Sequence, residues 1–263
     1  VSDAWNASTY RAFATERAQP FLDLLALVRP TRILRAVDLG CGPGELTRLA
    51  AAQLGCAEMV GIDNSPSMLA EAEQISTPNV QFERGDISSW TGEGDHDLVL
   101  ANASLHWVPN HSDVVARWTA ALRGGGQLAV QVPANAYMPS HTVADEVAHS
   151  EPFASAFGPD GPPPDPVAQH VLEPEEYASI LYDLGFVEQH VRLQIYPHVL
   201  PSSRSVVDWV RGTTLTRCQS RLDPDTFAAF VAAYERKLLT VIGDQSPYFF
   251  PFRRILMWGR QPA

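Results

Sequence analysis

"VDLGCGPGELTRLAAAQLG", residues 37–55, is the stretch that decides the fold. An apolar run ends at Asp38 and Leu39, glycines follow at Gly40, Gly42 and Gly44, and from Glu45 apolar residues recur three and four apart. That order reads as a strand, a tight turn and a helix. Glycines in such a turn let a ligand lie against bare backbone. The dinucleotide fingerprint G-x-G-x-x-G would place its third glycine where Glu45 stands, and no Gly-Lys-Ser/Thr follows for a triphosphate loop. Glu45 in the first helical turn opposes a pyrophosphate. An amino-acid-like guest suits the loop better, with its carboxylate on free N–H groups and its ammonium on an acidic or carbonyl group.

Outward from that turn, "ILRAVDL" (33–39), "AEMVGID" (57–63), "VQFERGD" (80–86), "HDLVLANA" (96–103) and "QLAVQVP" (127–133) read as strands. Helices alternate with them: "GELTRLAAAQL", then "SPSMLAEAEQI" with Ser65 as N-cap and Pro66 at the first helical position, then "HSDVVARWTAAL" with the glycines 124–126 closing it. Such alternation implies right-handed crossovers and a parallel sheet. After Pro133 the rhythm breaks. Residues 151–170 hold six prolines and read as a loop or lid edge. Residues 173–186 read as a helix ending at Gly185, 187–200 as a strand, regions around 203–215 and 223–241 as helices, and "FRRILMWGR" (252–260) as the last strand. The expected fold is α/β, a doubly wound, mostly parallel seven-stranded sheet in one domain. Its expected parts are a helical arm (1–30), a ligand-binding core (33–133), helical insertions (134–175 and 201–247) roofing the carboxyl edge, and a final strand (248–263).

A hydrophobic fraction of 45% supports a buried core, and 19% charged residues is too few for a disordered chain. The net charge of −11 excludes nucleic acid as the main partner. No apolar run reaches a membrane span, and the start lacks a basic segment followed by an apolar one, so a cytoplasmic protein is expected. Cys41, Cys56 and Cys218 are too few and irregular for a disulfide framework or a zinc site, and no metal is expected. Lys237 is the only lysine, so nearly every cation is a guanidinium able to grip a carboxylate with two hydrogen bonds.

Ligands of open α/β sheets bind at the carboxyl ends of the strands. Asp63 closes the second strand about twenty residues past the glycine loop, where a carboxylate accepts from both ribose hydroxyls. Asp86 closes the third strand, placed to accept from an adenine amine with Ile87 against the ring, and Asn102 closes the fourth. An amino-acid cradle, a diol acceptor, an amine acceptor and a central polar group are the parts that hold S-adenosylmethionine. In "VDLGCGPG", "GIDNSPSML" and "GDISSW" the sequence resembles the class I S-adenosylmethionine-dependent methyltransferases. The resemblance gives Asp38, Gly40, Gly42, Gly44, Asp63, Asn64, Met68, Asp86, Ile87, Asn102 and Trp107 as cofactor contacts. Arg17 joins them or grips the substrate.

Beyond the shared core, "WNASTYRAFATERAQPFLDLLALV", "ANASLHWVPNHSDVVARW", "LAVQVPAN", "SVVDWVRGTTL" and "FFPFRRILMWGR" look like the trans-aconitate 2-methyltransferases. That resemblance implies methylation of a carboxylate on a small polycarboxylic acid, with S-adenosylhomocysteine as the other product. A carboxylate is already ionised at neutral pH, its pKa being about 4, so no general base is required. The expected substrate contacts are Tyr10, His106, Gln131, Asn135, Arg211 and Arg253; strand alternation lets only one of Arg253 and Arg254 face the acid. Where the family pattern reads "GTGLRP" this chain has "GTTLTRC". Arg217 therefore falls one place late, a turn of about 100° on a helix, which puts its role in doubt. The rival readings are a methyltransferase for another carboxylate, such as a malonyl group on a carrier protein, and a module that binds the cofactor without turnover. A nicotinamide-dependent reductase is disfavoured by the missing fingerprint glycine.

Overall fold

The computed structural model describes residues 14–263, with side chains from Ala18 onward; Tyr10 and the Arg17 side chain lie outside the described residues. In chain order the elements are α1 (Ala14–Leu25), β1 (Arg35–Leu39), α2 (Glu45–Leu54), β2 (Glu58–Asp63), α3 (Pro66–Ala72), β3 (Val80–Arg84), β4 (His96–Asn102), α4 (His111–Ala120) and β5 (Leu122–Pro133). There follow α5 (Pro139–Ala148), α6 (Phe153–Ala156), α7 (Pro166–His170), α8 (Pro174–Asp183), β6 (Glu188–Leu200), α9 (Ser205–Arg211), α10 (Thr216–Gln219), α11 (Pro224–Ile242) and β7 (Tyr248–Arg260). The seven strands form one sheet in the order β3-β2-β1-β4-β5-β7-β6. The pairs among β1 to β5 are parallel, and β7 runs antiparallel to β5. The expected α/β class and mostly parallel seven-stranded sheet are found.

The central strands bury almost every residue, as parallel strands covered on both faces must. The start of α3 is built as its sequence suggests, with Ser65 Oγ accepting from Met68 N and Pro66 in the first turn.

The chain divides into two compact units. One comprises residues 15–134, 170–194 and 253–263. Its core joins Val37, Leu39, Val99, Leu128 and Val130 of the sheet to Trp118 of α4 and to Tyr177 and Leu181 of α8. The other holds residues 135–169 and 195–252, and its core is aromatic: Phe153, Trp209, Phe227, Phe230, Tyr234, Phe250 and Phe252. There the edges of Trp209 and Phe153 meet Phe250 and Phe230 at centroid distances of 5.6 and 5.4 Å.

Three local expectations need correction. Helix α4 ends at Ala120, and the glycines 124–126 lie inside β5 rather than closing the helix. A Cβ at Gly126 would stand 2.9 Å from the His96 carbonyl oxygen, so the glycine is there to let β5 press on β4 beside an irregularity in their register. Strand β3 ends at Arg84, which leaves Asp86 two residues beyond it. The proline-rich stretch 151–170 contains two short helices, α6 and α7. Helix α5 lies within residues 134–175, and its small apolar residues (Val143, Ala144, Val147, Ala148) join the aromatic-rich core of their unit.

Candidate active site

The glycine loop is fixed from strand β2. Gly40 N and Cys41 N both donate to Ile62 O, at 2.7 and 3.0 Å, and Gly42 N donates to Asp63 Oδ2 at 2.9 Å. Asp63 Oδ1 accepts from Ser65 N at 2.9 Å, so one half-buried carboxylate ties the loop to the start of α3. The loop must run left-handed: Gly40 has φ +81° and Gly44 φ +85°. Among the described residues no atom lies within 4 Å of a Cβ built on Gly42, so they leave bare backbone open there. Cys41 serves through its backbone, its carbonyl accepting from Gly44 N, while burial first and the charges of Asp38 and Asp63 next push its thiol pKa far up.

Asp38, at the end of β1, is only 2% exposed and accepts a hydrogen bond from Thr47 Oγ1 at 2.6 Å. Burial, with a contribution from the negative charge of Asp63 and against the Thr47 hydrogen bond, pushes its carboxyl up to about 7.

Asn64 is exposed and Met68 buried on α3. Beyond β3, exposed Asp86 accepts from Ser88 N at 2.8 Å. The next residue, Ile87, is held through its carbonyl by Trp118 Nε1 at 3.0 Å. At the end of β4 the Asn102 Oδ1 is buried and has no hydrogen-bond partner among the described residues. Ala103 follows at φ +52°, a strained value for a residue with a side chain, and its N–H donates to Gln131 O. The turn 105–107 then sets the tilted rings of His106 and Trp107 4.8 Å apart.

That turn is fastened from behind. His111 Nε2 donates to Leu105 O at 3.0 Å, and His170 Nδ1 donates to His106 O at 3.1 Å. With Nε2 carrying the proton, His111 Nδ1 accepts from Tyr177 OH at 2.7 Å. Burial above all holds the His111 pKa down at about 4, so the ring stays neutral at physiological pH.

On β5, Gln131 is wholly buried and its Oε1 accepts from Arg254 Nη1 at 3.0 Å. Arg253 precedes it, half-buried, with its carbonyl accepting from Ala134 N. In the other unit Asn135 is buried, while Arg211 ends α9 exposed and has no ion pair among the described residues. Arg217 is already engaged: 7% exposed, it donates to Pro163 O at 2.5 Å and reaches Asp145 Oδ1 at 3.4 Å. The displaced arginine is a packing group of its own unit. Among the described residues no cluster of three His, Cys, Asp or Glu is placed to hold a metal, and no helix is long and apolar enough to cross a membrane.

The glycine loop, Asp63, Asp86, Asn102, the 105–107 turn and Gln131 thus lie at or just beside the carboxyl ends of β1 to β5 in one unit. Sequence reasoning missed the residues that fasten them. Thr47 carried the nearest thing to a signal, standing in the first turn of the helix that leaves the loop, while nothing local marks Ser104 or Tyr177, and Arg254 shows in the sequence only as one of two neighbouring arginines that alternation sends to opposite faces.

The reversed β7 between β5 and β6 distinguishes this sheet from the all-parallel order that binds dinucleotides. It is the sheet of the class I methyltransferases. Residues 36–126 match the family model described as a methyltransferase domain. Among solved structures, the chain resembles phosphoethanolamine N-methyltransferase 2 of Haemonchus contortus, determined with S-adenosyl-L-methionine, at TM-score 0.58 and 17% identity, over 93% of this chain and 53% of that one. It also resembles geranyl diphosphate methyltransferase, at TM-score 0.56 and 17% identity, over 97% of this chain and 89% of that one. At such identities these likenesses establish the fold. A trans-aconitate 2-methyltransferase from Mycobacterium sp. (strain KMS) is 37% identical over 97% of this chain and 99% of its own length. Another, from Mycobacterium tuberculosis, is 36% identical over 96% and 95%. The chain belongs to the trans-aconitate 2-methyltransferase family, and it is an enzyme whose methyl donor is S-adenosylmethionine.

Proposed function

We propose that the protein transfers a methyl group from S-adenosylmethionine to a carboxylate oxygen of trans-aconitate, giving a monomethyl ester and S-adenosylhomocysteine. The observation that carries this reading is that the likeness to trans-aconitate 2-methyltransferases runs through both units and far beyond the segment matched by the methyltransferase-domain model. A cytoplasmic setting goes with it, since all three cysteines are free and buried, as suits a reducing compartment.

The residues fit such a donor. The backbone at Gly42, open among the described residues, and the buried Asn102 Oδ1, without a partner among them, both suit a ligand group. In this reading Gly40, Gly42, Gly44 and Asp38 hold the amino-acid end, with Arg17. Asp63 accepts from the ribose hydroxyls, Asn64 and Met68 flank the sugar and base, and Asp86 and Ile87 hold the adenine. Asn102 and Trp107 lie beside the sulfur. When bound, the donor supplies an electrophilic methyl carbon on a positively charged sulfur. The chain's task is to hold one carboxylate oxygen in line with that carbon, with Tyr10, His106, Gln131, Asn135, Arg211 and Arg253 as the contacts. The new O–C bond forms as the S–C bond breaks, the electron pair stays on sulfur, and no proton moves. Alignment by itself accounts for about 7–11 kcal/mol of such a barrier in well-oriented systems.

The deciding experiment offers trans-aconitate, cis-aconitate, citrate, isocitrate and itaconate with radiolabelled donor. Trans-aconitate should be the best acceptor by about tenfold or more. Equal labelling of all five, or labelling only of a malonyl carrier protein, would reject the assignment. Adenosylhomocysteine binding without label in any acid would leave a binding module. Arg211→Ala should raise KM for the acid and leave the adenosylhomocysteine dissociation constant unchanged.

Asp63→Asn tests the cofactor half. An amide can accept from Gly42 N or from Ser65 N but not from both, and it loses the charge that strengthens each bond. Adenosylhomocysteine should bind about 10- to 100-fold more weakly, a loss of about 1.5–3 kcal/mol for a hydrogen bond to a charged group. Unchanged affinity in a calorimetric titration would remove Asp63 from the site.

A further inference from the structure

The geometry of β5 and β7 points to a specificity-determining residue and the group that aims it: Gln131 Nε2 donates to a carboxylate of the acid substrate, and Arg254 fixes the amide in the orientation that makes it a donor. This inference rests on the proposed carboxylate methylation.

Gln131 lies wholly buried in β5. Arg254 Nη1 reaches its Oε1 at 3.0 Å. A guanidinium has donors and no acceptor, so the amide can turn only its oxygen toward Arg254, and the NH2 group is sent the other way. There Nε2 is buried and without a hydrogen-bond partner among the described residues. Buried amide nitrogens in native proteins are nearly always paired, which makes this one a donor awaiting an acceptor.

The acceptor's identity follows from the neighbouring strands. Gln131 is the register partner of Asn102 on β4, whose buried Oδ1 likewise has no partner among the described residues. Two adjacent strand ends therefore offer opposite chemistry, an acceptor from β4 and a donor from β5. The cofactor groups are assigned to β1, β2, β3 and β4. Gln131 stands one strand further on, beside β7, where the second reactant must lie. A small polycarboxylic acid offers acceptor oxygens, and the Arg254 charge behind the amide polarises its N–H bonds toward them.

Gln131→Glu tests this. The carboxylate keeps the Arg254 contact as a charge-assisted bond, which preserves the packing, but it replaces the donor with an acceptor that repels an anion. The trans-aconitate KM, and its dissociation constant from adenosylhomocysteine-loaded protein, should rise by about 100-fold. The adenosylhomocysteine dissociation constant should stay within about twofold, and Tm should not fall. Arg254→Met frees the amide to flip and should raise KM by about tenfold with kcat little changed. Unchanged acid affinity in Gln131→Glu overturns the inference, as does a loss confined to adenosylhomocysteine, which would give the donor to the cofactor. A wild type that methylates trans-aconitate beside an unaffected Gln131→Glu sinks this inference alone. A wild type that neither binds nor methylates any acid sinks the proposed function, and the inference with it.

Discussion

Gly40→Ala is expected to remove measurable adenosylhomocysteine binding and to lower Tm by on the order of 10 °C. A Cβ built on Gly40 would stand 2.2 Å from Ser104 Cβ and 2.9 Å from Ser104 Oγ. Rotating the serine gives no relief, because Cβ itself is in the way and Oγ is already donating to Leu39 O at 2.5 Å. Relief requires β1 and β4 to part just beyond the register pairs that join residues 36–38 to 98–100. The left-handed φ of +81° adds about 1–2 kcal/mol for a residue with a side chain, and the overpacking about 1–3 kcal/mol. The loop that would shift is the one whose N–H groups are held by Ile62 and Asp63, so the ligand site moves with it. Gly42→Ala is the control. It shares the positive φ but meets nothing within 4 Å among the described residues, so it should weaken ligand binding with a much smaller loss of Tm. A second control, Gly40→Ala with Ser104→Gly, should recover part of the lost stability by removing the clash and leaving the backbone term. Equal Tm values for the two single variants would show that the contact with Ser104 does not matter.

What could be read from the sequence was local. A strand, alternate glycines and a helix announce themselves within nineteen residues (37–55), because periodicity and turn chemistry act over that range. The same holds for Ser65–Pro66 at the start of α3 and for Asp63 at the end of β2. What could not be read was set by distant partners. The glycines 124–126 look like a helix terminator until β4 is seen pressing on Gly126. Helix α5 offers only valines and alanines as apolar residues, and its packing is set by distant residues such as Phe230 and Tyr234 of α11. Arg217 fits a substrate contact displaced by one residue as well as it fits the buried partner of Asp145 and Pro163 that it is. Arg254 and Gln131 are 123 positions apart, and alternation along β7 separates Arg253 from Arg254 without saying which one meets β5. The candidate site was thus legible as a set of strand ends, and illegible in the hydrogen bonds that hold them.

Asp38→Asn should strengthen the fold at alkaline pH and weaken ligand binding. The Asp38 carboxyl is pushed up to about 7, by burial first and by Asp63 in addition, against the Thr47 hydrogen bond. In the unfolded chain it ionises near the usual value of about 3.9. Between those two values the native state keeps a proton that the unfolded state has released. Stability contributed by the protonated form is therefore fully present below about pH 4, falls as pH rises, and is gone above about 7. Asparagine cannot ionise, and its Oδ1 can still accept from Thr47. The variant should draw level with the wild type near pH 4 and exceed it increasingly up to pH 7. Above that the gap should level off at on the order of 4 kcal/mol. Denaturant melts at pH 5, 6, 7 and 8 give the gap directly, and parallel curves for the two proteins would show that Asp38 does not titrate as its surroundings demand. Ligand binding should run the opposite way. If the ionised carboxylate faces the ammonium of the cofactor, wild-type affinity for adenosylhomocysteine rises through pH 7 while the ligand stays cationic, and the variant's affinity is flat and lower. A buried charge that weakens the free protein is retained only where it is used, and opposite pH trends in stability and binding are what that use requires.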